Sequence, residues 1–208
     1  MASDLQSARD DLAYMRTLVT GSGPLQSTMG EAFMWAGALY GGQCILHWLQ
    51  TLHMMPEEGL GALAIALGPT LVFCVALGFI IWKDRKKPVG GIASRALSAV
   101  FQGAGLANLV MAFVFAYGAQ KAESFGLWLY HPIVVCMFQG VAWYVAWVIL
   151  KRAWVGVVAA GWFIMTVALG ITVFGDIGSY LLILGIGLIS LMGIPGYVIW
   201  RSATKAGG

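Results

Sequence analysis

The fold class predicted here is an all-α membrane bundle of six transmembrane helices, led by a short N-terminal amphipathic helix, and three observations predict it. Of the 208 residues, 60% are hydrophobic and only 10% charged, where ordinary soluble chains carry about a quarter charged residues. Six apolar stretches each reach the length of about 20 residues that a helix needs to cross a hydrocarbon core about 30 Å thick. Lysine and arginine gather in alternate connections between those stretches. A soluble domain of this size would have to show most of its apolar surface to water, so lipid is the solvent that fits.

The six stretches run approximately from Glu31 to Thr51, Leu60 to Trp82, Ser94 to Gly118, Gly126 to Leu150, Trp154 to Phe174 and Gly178 to Trp200. In lipid every backbone N–H and C=O must be paired within the protein, which leaves helices or closed barrels. Unbroken apolar runs without period-two alternation select helices. Met55-Pro56-Glu57-Glu58-Gly59, the charged run from Lys83 to Pro88, and Gln120 to Ser124 separate the first four, while Lys151-Arg152 and Gly175-Asp176 make the last turns tight. Short connections make sequence neighbours antiparallel neighbours. The domain plan is an N-terminal segment 1–29, a transmembrane domain 30–200 and a tail 201–208.

Orientation follows from the basic residues. Arg9, Arg16, Lys83, Arg85, Lys86, Lys87, Arg95, Lys151, Arg152, Arg201 and Lys205 fall on one side of a six-span topology and Lys121 on the other. Cytoplasmic loops retain such residues, so both termini are expected in the cytoplasm and Glu57, Glu58, Glu123 and Asp176 outside. Trp48, Tyr117, Trp128, Tyr130 and Tyr180 mark the outer boundary, and Trp82, Trp147, Trp154 and Trp200 the inner one, as interfacial aromatics do. Spans one, three and five start about sixty residues apart, which hints at three stacked hairpins.

Before the first span, Leu5, Ala8, Leu12, Met15 and Val19 recur at three- and four-residue steps, with Asp4, Asp10, Asp11 and Arg16 on other faces. That spacing predicts an amphipathic helix on the inner leaflet or docked to a partner, ended by Gly21, Gly23 and Pro24. The apolar run after it is too long for a cleaved signal peptide, so the first span is expected in the mature protein. The run Asp11-Leu12-Ala13-Tyr14-Met15-Arg16-Thr17-Leu18, followed by a Gly-rich step and the first span, resembles the N-terminal pattern of small six-span proteins of bacterial inner membranes. That resemblance covers about the first fifth of the chain and implies a bacterial cytoplasmic membrane, with no implication for activity.

Polar residues inside spans are costly and mark function. No Asp, Glu, Lys or Arg falls in the middle third of any span, so a proton relay or a charged-substrate path lacks its usual marker. Gln43, His47 and Gln50 share one face of the first span, and Gln102, Asn108 and Gln139 on spans three and four are placed to bond across the bundle to that stripe, either as interhelical glue or as the lining of a small-solute path. His47 and His131 fall at matching depths, where two imidazoles suit a b-type haem or a metal ion. Gly37/Gly41, Ala64/Gly68, Ala99/Gly103, Gly103/Ala107 and Gly156/Ala160 have the small-xxx-small spacing of close helix contacts, within one chain or in a homo-oligomer. Gly68-Pro69 and Gly193-Ile194-Pro195-Gly196 predict kinks.

Cys44, Cys74 and Cys136 lie in apolar runs and predict no structural disulfide. Clustered basic ends without interleaved aromatics disfavour nucleic acid. There is no Walker loop, HExxH, GxSxG or CxxCH, and Gly185-Ile186-Gly187 follows no strand, so no catalytic role is assigned. The expectation is a non-enzymatic accessory, sensory or assembly factor acting through contacts with a membrane-protein partner in the lipid bilayer. A transporter built on the Gln/His stripe and a haem-binding redox protein are its rivals.

Overall fold

The computed structural model describes residues 23–85 and 91–206, all helical apart from short turns, with no strand among them. The helices are α1 (Gly23–Thr51), α2 (Gly59–Asp84), α3 (Ile92–Lys121), α4 (Phe125–Trp128), α5 (Tyr130–Leu150), α6 (Ala153–Thr172), α7 (Ile177–Leu188) and α8 (Ile194–Ala206), with a π-helical turn over Ile189–Gly193 between the last two. Five units are long and apolar enough to cross a membrane: α2, α3, α4 with α5, α6, and α7 through Lys205. Gly23–Thr51 is not among them, although its 29 residues are long enough. Its Gln43, His47 and Gln50 dilute the apolar run.

The N-terminal amphipathic helix lies outside the described residues. Gly23 and Pro24, expected to end it, open α1. Proline lacks only an N–H that the first helical turn leaves unpaired anyway. Span four also differs from expectation, since α4 stops at Trp128 and α5 begins at Tyr130. Pro132 removes the donor that Trp128 would need to continue the helix. The Leu129 carbonyl at this break accepts from Tyr180 Oη at 2.6 Å. Near the C-terminus the expected kink is a π-helical turn placed just before Pro195, which widens the ladder where the proline ring would press on it.

Helix α1 lies antiparallel along the whole α7–α8 unit. A Cβ on Gly30 would stand 2.6 Å from Trp200 N, one on Gly37 2.5 Å from Gly193 Cα, and one on Gly41 2.9 Å from Gly185 O. At the far end a Cβ on Gly178 would meet Thr51 Oγ1 at 3.2 Å. The two backbones are therefore in direct contact from one end of the last span to the other. Helix α2 packs against α1, α5 forms a hairpin with α6, and α3 leans mainly on α5. One end of the bundle joins Glu31 to Lys83 at 2.6 Å and Thr28 to Asp84. Just below lies a ring cluster of Phe33, Phe101, Trp143 and Trp154, with centroids 5.2–6.2 Å apart. The core proper is built from α5 and α6, where Trp143, Trp162, Cys136 and Leu169 are almost wholly buried.

Two chain reversals rest on identifiable chemistry. Lys151 adopts the left-handed conformation (φ 52°, ψ 31°) and its N–H returns to Trp147 O at 2.7 Å, which stops α5 and lets α6 begin two residues later. Asp176 caps α7, its carboxylate accepting from Ser179 N and Oγ at 2.7 Å each and from Gly178 N at 3.2 Å. These bonds, the Ser179 hydroxyl first, hold its pKa below the ordinary carboxylate value.

The glycine contact is expected to be intolerant of a single methyl group. Gly37→Ala overpacks backbone against backbone, which costs about 1–3 kcal/mol, whereas Gly42→Ala faces open space and is neutral or stabilising by up to about 1 kcal/mol. Thermal unfolding of both variants in one detergent reads the difference. The Asp176 cap adds a pH term: a depressed folded pKa gives stability that is complete above the ordinary value of 3.8 and lost as pH falls through the lower folded value. Amide exchange at Gly178 and Ser179 should accelerate below about pH 4, and Asp176→Ala should remove that dependence.

Candidate functional site

Polar groups in the spans were the sequence's best candidates for chemistry, and most of them are engaged within the protein. Gln43 on α1 donates through Nε2 to Ala66 O on α2 at 2.8 Å, in the turn that Pro69 interrupts. Pro69 removes the N–H that would serve Ile65 O, one residue before the Ala66 carbonyl that Gln43 reaches. One turn on, His47 Nδ1 donates to Gln50 Oε1 at 2.7 Å, and Gln50 Nε2 donates to Pro56 O in the α1–α2 turn. The stripe is thus a hydrogen-bonded seam between α1, α2 and their connection. All three side chains are half-buried.

The expected partners of the stripe lie elsewhere. Gln102 on α3 is exposed and donates to Ser98 Oγ at 2.7 Å on its own helix. Asn108 offers its main-chain carbonyl to His131 Nε2 at 3.3 Å, and its Oδ1 is buried without a partner. Gln139 is buried in α5, and its Oε1 has no partner either. None of the three bonds to Gln43, His47 or Gln50, because the α3 and α5 faces that carry them do not meet the α2 side of α1.

His131 stacks on Trp128 (centroids 5.0 Å, interplanar 22°) and lies 6.1 Å from the Phe115 ring. Its partners are therefore on α3 and α4, while those of His47 are on its own helix and the following turn. No hydrogen bond or ring contact joins the two imidazoles. His47 is bonded through Nδ1 and His131 through Nε2. No group of three or more His, Cys, Asp or Glu side chains is placed to hold a metal among the described residues.

The sequence reading missed two buried indoles in the core, at nearly the height of Gln139. Trp143 Nε1 and Trp162 Nε1 are buried without a partner, as is Gln139 Oε1. Gly140 faces the Phe163 ring and Gly156 the Trp147 ring across the α5–α6 hairpin, which sets Trp162 at a height between Gln139 and Trp143. Two donors and one acceptor therefore sit within about 6 Å along the bundle axis, one helical turn. The i, i+4 spacing of Gln139 and Trp143 was the available signal that both share one buried face. The Thr28–Asp84 and Glu31–Lys83 pairs were also missed, since nothing in the sequence says which loops meet.

Compared with protein-family models, with characterised proteins and with solved structures, the chain has no match. Its chemistry is therefore argued from these positions alone.

Opposite outcomes are expected for two glutamines. Gln43→Met loses a bond between helices, worth about 0.6 kcal/mol on average in measured membrane cycles. Gln139→Met removes a buried acceptor that has no partner and should leave stability unchanged or raise it by about 1 kcal/mol. Thermal unfolding in nanodiscs distinguishes them, and a clear loss for Gln139→Met would show that its amide holds a bound molecule.

Proposed function

We propose that the protein is a six-span, non-enzymatic component of a bacterial cytoplasmic membrane that works as an accessory, sensory or assembly factor through helix contacts with another membrane protein. The observation that carries this reading is the division of labour among the helices. The polar stripe of α1 is spent on bonds inside the bundle, while α2 leaves a long outward face, with Leu71 and Val75 more than 60% exposed. A helix committed to lipid alone needs no small residues there, yet Gly68 and Gly78 have open space where a side chain would stand. Such surfaces suit close approach by a partner helix.

The sixth span is α1. A helix in backbone contact with α7 and α8 over their full length shares their depth, so if that unit crosses the bilayer α1 crosses with it. Its lower apolarity is compatible with a position between other helices, where polar groups find partners. An even number of spans places both termini on one side, and the basic residues of the α2–α3 and α5–α6 connections make that side cytoplasmic. The resemblance of the N-terminal run to small six-span inner-membrane proteins supports the same location.

A transporter of small uncharged solutes is the second reading, favoured by the unpartnered core trio Gln139, Trp143 and Trp162. Haem ligation by His47 and His131 has no such observation in its favour.

Purification in mild detergent separates these readings. A stoichiometric co-purifying membrane protein and a spectrum without a Soret band are expected. Water or glycerol permeation in proteoliposomes, abolished by Gln139→Leu, would favour the transporter instead. For topology, a reporter active only outside the cytoplasm should work when fused at Glu58 and fail at the C-terminus. The reverse pattern would invert the orientation.

A further inference from the structure

Helix α3 carries a polar group where a lone chain in lipid has no use for one. Gln102 lies seven residues beyond Arg95, about 10 Å along the helix, and therefore well below the headgroups that an arginine seeks. Its side chain is exposed, and its one recorded bond goes from Nε2 to Ser98 Oγ. A carboxamide has two N–H donors and two lone pairs on oxygen. The remaining N–H and the oxygen therefore face acyl chains, which offer nothing.

Other polar residues at the lipid boundary avoid this cost differently. Thr166 and Thr172 return their hydroxyls to carbonyls of their own helix, Trp162 O at 2.8 Å and Ala168 O at 2.9 Å. A hydroxyl can hide in this way, but an amide on a four-atom stem cannot hide both ends.

The same face of α3 is shaped for close contact. Ala99, Gly103, Leu106, Val110 and Phe113 follow one another at three- and four-residue steps, Gln102 stands three residues after Ala99 and four before Leu106, and every one of them is exposed. A Cβ on Gly103 would meet nothing within 4 Å. The small residues flank Gln102, so a second helix laid there would approach most closely at the amide. The charges that bound the helix, Arg95 and Lys121, belong to the headgroup layers.

We propose that this face is the seam of a symmetric homodimer in which the α3 helices of two copies run side by side and their Gln102 amides pair across the two-fold axis. A second copy is the occupant because the amide is self-complementary: each oxygen accepts from the other's N–H, and both are satisfied with no further group. Two copies inserted in the same sense place Gln102 at equal depth, as a two-fold axis along the membrane normal requires. The rest of the seam is apolar and uncharged, so nothing on it demands a chemically different partner. The inference stands apart from the accessory role and holds whether or not another protein binds elsewhere.

The test is disulfide cross-linking of the full chain in native membranes, with Cys44, Cys74 and Cys136 replaced by alanine and one cysteine reintroduced at a time. Gly103→Cys and Leu106→Cys should link two copies rapidly. Val75→Cys on α2 and Ile164→Cys on α6, at positions more than 65% exposed, should not. In bilayers, single-molecule photobleaching should show two-step traces for the wild-type chain. Gln102→Leu should weaken dimerisation roughly threefold to tenfold, and Gly103→Ile more strongly. Both changes point away from the chain's own core, so each variant remains folded, as its thermal unfolding would verify. Equal cross-linking from the control positions, single-step traces for the wild type, a link from Leu106→Cys to a different protein, or a dimer indifferent to both α3 changes would each overturn the proposal.

Discussion

Backbone contact between the first and last helices is the constraint on which the remaining architecture depends. Membrane helices gain nothing from hiding apolar side chains from lipid, so their association rests on van der Waals contact and on how near the backbones can come. Gly30, Gly37 and Gly41 on α1 meet Gly185, Gly193 and Gly196 on the other side, and the removal of side chains on both faces makes the approach possible. With that distance fixed, α2 can lie on the opposite side of α1, and Gln43 reaches across to Ala66 O. The α5–α6 hairpin closes on the same pair through Met165 against Gly187 and Leu191 against Gly161.

The polar residues sort by what surrounds them. On α1, amide and imidazole are consumed in a line of bonds that ends on the Pro56 carbonyl, so the stripe holds the hairpin turn in register. At the other end of the bundle, carboxylates and a lysine tie α1 to α2 where water and headgroups lower the cost of charge. In the α5–α6 core, tryptophan and glutamine groups are buried without partners, a costly arrangement for two indoles and an amide. Tyr180 shows the contrast, since its hydroxyl is spent on the open carbonyl at Leu129.

Much of this was legible in the sequence because lipid imposes a length and a sign. The apolar runs of spans two to six and their short connections appear within a few residues of where they were expected, and the 37/41 spacing does mark a packed seam. Other matches to the same spacing do not: Gly68 and Gly103 have the pattern and no neighbour in the chain. Small residues at four-residue intervals state that a helix can be approached, not which helix approaches it. For the same reason Gln102, Asn108 and Gln139 could not be joined to Gln43 by sequence, because their faces depend on rotations that no local rule sets. Pro195 announced a local break and Pro132 made one that was not expected, because whether a proline yields an interrupted helix or a widened turn depends on what packs beside it.

The antiparallel pairing of α1 with α7 and α8 also has a consequence in time. Gly30 comes early in the described chain and its neighbours Gly196 and Trp200 come late, so the deepest groove of α1 waits for the end of synthesis to be filled. Until then α1 has α2 as its main companion, and its glutamines rely on the Pro56 carbonyl of the connecting turn and the Ala66 carbonyl of α2. Helix α1 is thus secured early by its polar side and late by its glycine side. Any chain cut short before Gly178 would leave α1 with its glycine groove uncovered.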